Sequence, residues 1–483
     1  MSDSRPKESM SRRELFQVGA GSAASLGLGP LVRGAQGGGS DRPNIVLIMT
    51  DQQSADMLSC AGNPHLDTPA MDSLAARGTR FEGAYCTDPV CVPSRFSMLT
   101  GRMPSAAGYT NNASGRRHKT PDHMRLRSLG HVFREAGYET AYGGKVHLPR
   151  GMNADNIGFD YLTDNRRGKL ARTCADYLQQ DHDDPFLLVS SLVNPHDICY
   201  MAIRAHSEKG YDVKRLAEAM KRPEGVSEEE FYEDYCPPLP DNFDVPEGEP
   251  EAIEQLLKKR PFRIHARRNW SERMWRWHRW TYARLTEMVD SRVGIILQAL
   301  RRAGLEEDTV VAFVSDHGDM DSAHRMEHKT APYEEAVRVP LIISYPGETP
   351  AGLVDDDHLV STGLDLLPTL CDYAGIDPPE DLPGRSVRPL AAGRQTNSWR
   401  GHVVAESSIC RMLRTGRWKY CVYHEGEPRE QLNDKKRDPG EMRNLAVESS
   451  HEPVLDSLRG KLARWMDRVD DQIGKQYVIR PGE

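Results

Sequence analysis

The chain has 483 residues, a formal net charge of −8 and 28 % charged residues. Its length indicates one large domain with a smaller one, or two to three domains, with enough residues to bury a sizeable core. The charge balance predicts a soluble globular protein and excludes the overall basic excess of a nucleic-acid binder, so we expect no nucleic-acid partner. Any anionic substrate must therefore be met by local positive charge.

The first 40 residues differ in composition from the rest of the chain. "MSRRELF" carries paired arginines, and a weakly apolar, glycine-rich run, "QVGAGSAASLGLGPLV", follows before "RGAQGGGS". This order is typical of a twin-arginine export signal, with a disordered tail and a chance arginine pair as the alternative. The glycines and Pro30 make the run a poor membrane span, and no later stretch is long and apolar enough for one. We therefore expect residues 1–40 to engage the twin-arginine export machinery of a bacterium and the mature protein to be periplasmic or secreted.

Apolar strands and helices alternate from residue 41 onward. "NIVLIMTD" is a near-continuous apolar run, as expected of a strand buried on both faces, and the next helix begins at Thr68 and Pro69 and ends at Gly78. The later segments are, in order, "SLGHVFREAG" (helix), "YETAYGGK" (strand), "PFLLVSSLVNPH" (strand), "VDSRVGIILQALRRAG" (helix) and "TVVAFVSDHGD" (strand). This alternation predicts a large α/β domain over residues 41–395.

The pattern changes near residue 400. "HVVAES" and "CRMLRTGRWKYCVYH" are alternating runs with a Thr-Gly turn, and "VLDSLRGKLARWMDRV" has the pattern of a final helix. We therefore expect a small antiparallel sheet with one covering helix over residues 396–483. Residues 221–261 are rich in Pro, Glu and Asp and predict an irregular surface insertion.

Polar residues follow three of the predicted strands at the point where each ends. Asp51 follows "IVLIMT", His196 follows "LLVSSLVNP", and Asp316 and His317 follow "VVAFVS". Each could be a strand-ending turn by itself. Because ligand sites in open α/β sheets lie beyond the carboxyl ends of the strands, three such ends together predict one shared cleft.

Nine cysteines are spread along the chain with no CxxC pair, which argues against a zinc ribbon or a disulfide-dense scaffold. Their odd number leaves at least one thiol with another fate in an exported protein. Cys91, before Pro93 and a short predicted helix, is the candidate. From the residues alone, it fits half a disulfide, a metal ligand, a buried cysteine or a nucleophile at a helix N-terminus.

The sequence Cys91-Val92-Pro93-Ser94-Arg95, with "LTGR" downstream, is followed in order by "GGKVH", "NPH" and "SDHGDMDSAHRMEHK". In these motifs the chain resembles the type I sulfatases. The match covers nearly all of the chain and includes "YEEAVRVPLII" and the C-terminal "RTGRWKYCVYHEGEPREQLNDKKRDPGEMRNL". The resemblance implies an alkaline-phosphatase-like α/β sandwich, with a large mixed, mainly parallel sheet flanked by helices and a small C-terminal antiparallel-sheet subdomain.

The resemblance also implies the chemistry of Cys91. In this family a separate maturation enzyme oxidises the motif cysteine to formylglycine, an aldehyde whose hydrate offers two hydroxyls on one carbon. One hydroxyl attacks sulfur, and the other, once deprotonated, expels sulfate. The expected reaction is hydrolysis of a sulfate monoester, with a sulfated carbohydrate as the expected substrate.

The same resemblance implies a metal site. Asp51, Asp316 and His317, together with the modified Cys91, correspond to ligands of a hard divalent cation, and Gln52 is a further oxygen ligand. Calcium is the expected ion because carboxylates and an amide suit it. Many relatives place a carboxylate where Gln52 stands and an asparagine where His317 stands, so magnesium and manganese remain alternatives.

Five further residues take catalytic roles by the resemblance. Arg95, four residues after Cys91 on a predicted helix, would hold the hydrated aldehyde. Lys145 and His147 correspond to a pair that contacts sulfate and assists the formylglycine hydroxyl. His196 and Lys329 correspond to the pair that binds sulfate and protonates the leaving oxygen.

Each of these residue types has a structural alternative. The lysines could be solvated surface charges, the histidines hydrogen-bonded structural residues and Asp316 a turn cap. The spacing from Asp316 to His324 and to Lys329 matches the family, although His324 could be structural.

Residues 258–280, "KKRPFRIHARRNWSERMWRWHRW", are strongly basic within an acidic protein. The apolar positions in and after this segment follow helical spacing and predict an amphipathic helix with a core-facing stripe, made of Trp270, Met274, Trp277, Thr281, Leu285 and Met288. Four arginines could line the cleft mouth and hold further sulfates of a polysaccharide, and these are Arg267, Arg268, Arg273 and Arg276.

Two rival functions remain at this point. A phosphonate or phosphate monoester hydrolase on the same fold would use the same aldehyde and the same "DHG" motif. A non-catalytic carbohydrate-binding protein would leave Cys91 unmodified and would have no need of a leaving-group acid.

Overall fold

The computed structural model describes residues 42–165, 167–206, 214–396 and 398–482, which belong to one compact unit. The predicted export signal, residues 1–40, lies outside the described residues. The strands of the described residues are β1 (Asn44–Asp51), β2 (Thr79–Phe81), β3 (Ala84–Tyr85), β4 (Glu139–Gly144), β5 (Asp160–Thr163), β6 (Phe186–Pro195), β7 (Thr309–Ser315), β8 (Leu341–Ser344), β9 (Leu353–Asp355), β10 (Val360–Ser361), β11 (His402–Glu406), β12 (Cys410–Thr415), β13 (Trp418–Tyr423) and β14 (Glu430–Asp434).

The α-helices of the same residues are α1 (Pro69–Ala75), α2 (Cys91–Thr100), α3 (Asn112–Arg117), α4 (Asp122–Arg125), α5 (Leu129–Glu135), α6 (Leu170–Leu178), α7 (Cys199–His206), α8 (Lys214–Ala219), α9 (Glu228–Glu230), α10 (Glu251–Lys258), α11 (Pro261–Asn269), α12 (Glu272–Arg302), α13 (Glu334–Val337), α14 (Thr362–Ala374), α15 (Arg388–Ala391) and α16 (Glu452–Val469). None of these helices is both long enough and apolar enough to cross a membrane.

Eight strands form the large sheet, in the order β5-β4-β6-β1-β7-β8-β2-β9. The five strands from β5 to β7 are parallel to their neighbours, whereas β8 is antiparallel to both β7 and β2, and β9 is parallel to β2. This is the large mixed, mainly parallel sheet that the family resemblance implied. Its parallel half places the carboxyl ends of β4, β6, β1 and β7 side by side at one edge.

Both faces of this sheet are buried, and β1 illustrates why its sequence is apolar at nearly every position. Leu47 and its alternate neighbours pack against α2, α5 and α14, whereas Ile48 and its alternate neighbours pack against α1, α6 and α12. A strand with helices on both faces needs apolar residues at successive positions rather than at alternate ones. The sandwich of helix, sheet and helix is therefore confirmed.

The C-terminal part is a four-stranded antiparallel sheet, β11-β12-β13-β14. One face, which includes Leu413 and Tyr420, packs against Leu458 and Leu462 of α16. The opposite face packs against α10 and the segment around Tyr333. The predicted small sheet with one covering helix is thus confirmed.

Two local predictions were wrong in detail. Residues 221–261 are not irregular throughout, since α10 forms there and packs Ile253, Leu256 and Leu257 inward at helical spacing. The helix predicted through Trp270 is interrupted at that residue, because α11 ends there. A new helix, α12, follows Ser271, whose side chain caps it by accepting a hydrogen bond from the Met274 amide. The Pro- and Glu-rich composition hid the first pattern, and the capping serine explains the second.

Candidate active site

The site lies at the carboxyl ends of four adjacent parallel strands. Asp51 ends β1, His196 follows β6 and Asp316 follows β7, as the sequence predicted, and Lys145 follows β4 at the fourth strand end. Gly144 makes this approach possible, because it has a φ of 95° and a Cβ there would lie 2.2 Å from the Ser191 carbonyl oxygen. The topology therefore brings together groups that are far apart in the sequence.

Cys91 is the first residue of α2 and is fully buried. The helix has no side-chain cap at Val90, and the Val92 amide donates to Asn112 Oδ1 at 3.0 Å, whereas Pro93 carries no amide proton. A negative charge at Cys91 is favoured at this end by the helix dipole.

Arg95 lies one turn after Cys91 and joins the two carboxylates of the site. Its guanidinium donates to Asp316 Oδ2 at 2.8 Å and to Asp51 Oδ2 at 3.1 Å. It also donates to the Lys145 carbonyl oxygen at 2.8 Å and to Ser191 Oγ at 2.7 Å. All of these side chains are buried, so Arg95 fixes the positions of the carboxylates rather than contacting solvent.

The charge around Asp51 is strongly positive. Lys145 Nζ forms an ion pair with Asp51 Oδ2, and Arg95 pairs with the same oxygen. Burial raises the pKa of Asp51, but Lys145, His196 and Arg95 outweigh this effect and hold its pKa far below its usual range. The Asp51 carboxyl is therefore ionised throughout the physiological pH range.

The Cys91 sulfur faces cations. Lys329 Nζ lies 3.0 Å from Sγ and His317 Nε2 lies 3.2 Å from it. Burial raises the pKa of the Cys91 thiol, but Lys145, Lys329 and His317 outweigh burial and hold its pKa well below the ordinary value. In this environment an anion at position 91 is stabilised.

Two histidines complete the environment of Cys91. His147 and His196 are partly exposed, and both lie near the Cys91 side chain. His147 has a φ of 44°, a left-handed conformation that is uncommon for residues other than glycine. Burial and the nearby Lys329 charge lower the pKa of His196. Both histidines therefore lie near residue 91, and their catalytic roles stay predictions.

Asp51, Cys91, Asp316 and His317 each offer a ligand atom, and these four atoms all lie within 4.8 Å of one another. His317 Nδ1 lies 2.8 Å from the Gly318 carbonyl oxygen, so in the neutral ring Nδ1 carries the proton and Nε2 keeps its lone pair toward the group. Two carboxylates and one imidazole nitrogen fit a divalent cation. The chemistry of these donors is thus compatible with the predicted metal site.

Gln52 lies beside this group with a more complex set of contacts. Its Oε1 accepts a hydrogen bond from Lys329 Nζ at 2.7 Å, and its Nε2 donates to Asp319 Oδ2 at 2.5 Å. Cys199 Sγ lies 3.1 Å from the same Oε1. The role of Gln52 as a metal ligand therefore stays a prediction, since in this structure its oxygen contacts the lysine.

A second group with ligand atoms close together is formed by His324, Glu335 and Glu441, away from Cys91. The Lys419 ammonium lies 2.7 Å from Glu441 and already balances its charge. The His324 ring stacks on Tyr333, with ring centroids 4.1 Å apart. These contacts favour the structural alternative for His324.

The four arginines predicted to line the cleft are each held by other parts of the protein. Arg267 pairs with Glu249, Arg268 with Glu254, and Arg273 with Glu228. Arg276 donates to the carbonyl oxygens of residues 236 and 237. Their role in substrate binding stays a prediction, and the contacts provide a structural reason for each of them.

The stripe predicted along α12 is only partly correct. Thr281 and Leu285 are buried and Trp270 nearly so, whereas the methionines and Trp277 are half-buried. The face that is buried most fully also carries Trp275 and Tyr282, which the prediction left out. Of the six predicted positions, Trp270 lies before this helix, which begins at Glu272, and the other five lie within it.

Three residues that support the site were not singled out from the sequence. Ser191 lies between Arg95 and the Lys145 carbonyl, Tyr282 donates to the Gln52 carbonyl oxygen at 2.6 Å, and Asp319 accepts from the Gln52 amide. Burial raises the pKa of Asp319 to about 7. Asp319 lies inside the "SDHGD" motif, which was the available signal, whereas Tyr282 carried none.

All nine cysteines are in the described residues and all are free thiols, eight of them buried. The alternative in which Cys91 forms half of a disulfide is therefore not seen. Its neighbours are instead charged and polar side chains of the strand ends.

Two family models match this chain. The model described as "Sulfatase" matches residues 43–173 and 168–376, and the model described as "N-sulphoglucosamine sulphohydrolase, C-terminal" matches residues 322–468. The Delta 4,5-hexuronate-2-O-sulfatase of Bacteroides thetaiotaomicron is 30% identical over 471 residues, covering 92% of this chain and 93% of that protein. An arylsulfatase of Clostridium perfringens is 28% identical over 485 residues, covering 88% and 95%.

Solved structures agree with these matches. The structure of a 2-O GAG sulfatase has a TM-score of 0.77 at 28% sequence identity, covering 91% of this chain and 95% of that one. A phosphonate monoester hydrolase of Agrobacterium radiobacter has a TM-score of 0.69 at 22% identity, covering 89% and 96%, and at this identity the likeness is one of fold alone. With family matches that span most of its length and a site built at the expected strand ends, the chain belongs to the sulfatase family and is a sulfuric ester hydrolase.

Proposed function

We propose that the enzyme hydrolyses a sulfate monoester on a carbohydrate, using a formylglycine made from Cys91 and a divalent cation held beside it. The observation that carries this proposal is the convergence of Asp51, Asp316 and His317 on Cys91, with Lys329 at the Cys91 sulfur and Lys145 at Asp51. The carbohydrate is supported by relatives whose names specify hexuronate, N-acetylglucosamine and ulvan as the sulfated compounds.

The charges of the site favour an anionic substrate once Cys91 is oxidised. Lys145, Lys329 and His317 hold the pKa of the Cys91 thiol well below its ordinary value and so favour an anion at this position. Conversion to a neutral aldehyde removes the thiol group that Lys329 contacts, whereas Lys145 keeps Asp51 as its partner. A sulfate ester then supplies the negative charge, because buried cations that lose a counter-ion are strongly disfavoured.

Asp51, Asp316 and His317 would hold the cation, with residue 91 at the same point and Gln52 as a further oxygen donor. Calcium is the proposed ion, and magnesium and manganese are the alternatives. When bound, the cation supplies positive charge that polarises the sulfate oxygens.

The remaining roles belong to side chains of this chain. Arg95 keeps both carboxylates in place through its four hydrogen bonds. Lys145 and Lys329 bind the sulfate oxygens, where negative charge accumulates in the transition state. His147 accepts a proton at residue 91, and His196 gives a proton to the leaving oxygen.

The hydrated aldehyde supplies the attacking hydroxyl in this proposal. A thiol at position 91 lacks that chemistry, so a separate maturation enzyme must act on the chain before it is active. Residues 1–40 are proposed to direct export through the twin-arginine machinery, with the mature enzyme in the periplasm or the medium. Replacing Arg12 and Arg13 with lysines should retain the enzyme inside the cell, and unchanged export would contradict this part.

A phosphonate or phosphate monoester hydrolase is the second candidate, because two phosphonate monoester hydrolases share the fold. We expect kcat/KM for 4-nitrophenyl sulfate to exceed that for phenyl 4-nitrophenyl phosphonate and for 4-nitrophenyl phosphate. The Cys91→Ala variant should be folded and inactive on all three, since a methyl group cannot provide a nucleophile. A preference for the phosphonate would favour the second candidate, and activity in Cys91→Ala would rule out the proposed nucleophile.

A further inference from the structure

Arg263 of α11 is buried beside the site although the sequence did not distinguish it from its basic neighbours. Only 9% of its surface is exposed. Its Nη1 donates to the carbonyl oxygen of Lys329 at 3.2 Å. Since the Lys329 ammonium contacts the Cys91 sulfur, the arginine lies against the main chain of a residue in the catalytic group.

No carboxylate in the described residues lies within 4.0 Å of the Arg263 guanidinium, and its buried Nε has no hydrogen-bond partner there. Burial lowers the pKa of Arg263 to about 10, and the nearby Cys199 and Asp319 offset this effect only in part. An arginine remains protonated at that value. The free protein therefore keeps a buried positive charge with one neutral partner.

The other arginines of the same basic segment differ from Arg263 in this respect. Arg267 forms a two-bond ion pair with Glu249, and Arg268 and Arg273 pair with glutamates at the surface. Burying an unpaired charge costs free energy that a folded protein normally avoids by pairing the charge. An unpaired buried guanidinium therefore favours the binding of an anionic group of a ligand.

The surroundings of Arg263 have the chemistry of a sugar-binding rim. The Phe262 ring lies over His328, with ring centroids 5.0 Å apart, and Phe262 is partly exposed. His328 precedes Lys329 and has a φ of 72°, so the chain turns sharply where it contacts Arg263. An aromatic surface beside a cation and beside the sulfate-binding lysine can accept a sugar ring with a charged substituent.

We propose that Arg263 binds a second anionic group of the substrate, a carboxylate or a second sulfate on the sugar that carries the scissile ester. This inference rests on the proposed function, because it adds an anion-binding subsite to the same site. Arg263 then sets specificity: it favours substrates with two negative charges and contributes little to a small aryl sulfate that has only one. An arginine suits both anions because its planar fork can bind two oxygens at once.

The test is a binding experiment in a Cys91→Ala background, in which ligands are not turned over. Isothermal titration calorimetry would compare two pairs of compounds that differ by one charge. One pair is a hexuronate 2-sulfate and its methyl ester, and the other is glucosamine N,6-disulfate and N-acetylglucosamine 6-sulfate. Arg263→Gln and Arg263→Lys are compared with a control variant, Arg302→Gln. Arg302 is an exposed arginine at the last position of α12, at the end of the helix that precedes the start of β7.

We expect the parent to bind the more highly charged member of at least one pair about tenfold more tightly, as for one charge-assisted hydrogen-bonding interaction. Arg263→Gln should abolish that preference, Arg263→Lys should keep part of it, and Arg302→Gln should keep all of it. The first pair identifies a carboxylate as the anion and the second pair identifies a sulfate.

An equal affinity for both members of both pairs in the parent would overturn the proposal, as would a preference that survives in Arg263→Gln. Equal loss of all ligands with a lowered melting temperature would assign Arg263 a structural role instead. Turnover is measured separately with Cys91 present: if 4-nitrophenyl sulfate is not hydrolysed, the proposed function fails, whereas the binding preference still decides the role of Arg263.

Discussion

Replacing Arg95 with glutamine should destabilise the protein more than any surface substitution. Arg95 is fully buried and is the shared partner of the two carboxylates, Asp51 and Asp316. In the variant these carboxylates keep Lys145 as a partner only on the Asp51 side. Breaking a buried ion pair by removing one member costs about 3–5 kcal/mol, mainly because the remaining charge is buried and unpaired.

Part of this loss should return on adding calcium. A divalent cation at Asp51, Asp316 and His317 would replace the missing positive charge, so it should stabilise the variant more than the wild type. At a concentration about 100 times the dissociation constant, one bound ion stabilises the folded state by about 2.7 kcal/mol. The recovery therefore tests the metal ligands and the role of Arg95 together.

The assay is urea denaturation followed by tryptophan fluorescence, first in a chelator and then with calcium. Arg411→Gln is the matched control, because Arg411 is also buried and pairs with Asp471 at 2.9 Å, but lies in the C-terminal sheet. It should lose similar stability and gain no more from calcium than the wild type. A loss below about 1 kcal/mol for Arg95→Gln in chelator, or an equal calcium gain in both variants, would refute the reasoning.

Three further predictions address the metal, the basic segment and pH. Asp316→Asn should lower both the amount of bound calcium and the turnover rate, because one anionic ligand is lost. An unchanged metal content, measured by elemental analysis after dialysis, would count against Asp316 as a ligand. Neutralising the exposed Arg268 and Arg273 should raise KM for a sulfated oligosaccharide, and most strongly at low salt, because charges separated by more than about 8 Å are screened at physiological salt. An equal effect on a small aryl sulfate would show that the loss is structural. Burial lowers the pKa of His278 from 6.5 to about 3. Below pH 6.5 the unfolded chain therefore binds a proton at this histidine that the folded protein does not bind. The stability of the folded state then falls by about 1.4 kcal/mol per pH unit as the pH decreases toward 3. His278→Leu should therefore lose less stability than the wild type between pH 7 and pH 5, and parallel urea midpoints would contradict this.

The strands that build the site could be predicted because their burial on two faces leaves a simple signature. β1, β6 and β7 read as mostly apolar runs, and a carboxylate or imidazole of the site stands at the end of each run or directly after it. Parallel order then places those ends together. The convergence of Asp51, His196 and Asp316 follows from this geometry, which is why strand-end residues were found in advance.

The environment of Arg263 could not be predicted from the sequence. It belongs to a run with many arginines, and the feature that separates it from Arg267 is that no glutamate of the described residues pairs with it. Pairing between residues distant in the chain depends on how α10, α11 and the segment after β7 pack. Local spacing gives no information on that packing.

The break before α12 has a local cause. Ser271 caps a new helix one residue after Trp270, so Trp270 does not belong to the helix that carries the other stripe positions. A serine followed by a glutamate was the available signal, and the strong pattern of tryptophans concealed it.

The most direct test of the account is the chemical state of residue 91 in an active preparation. Trypsin releases residues 81–95 as one peptide that contains both Cys86 and Cys91, so Cys86 serves as an internal control. Fragmentation mass spectrometry should place an aldehyde at residue 91 and an unmodified thiol at residue 86, with the aldehyde fraction rising in proportion to specific activity. An active preparation in which residue 91 is entirely thiol would contradict the central claim.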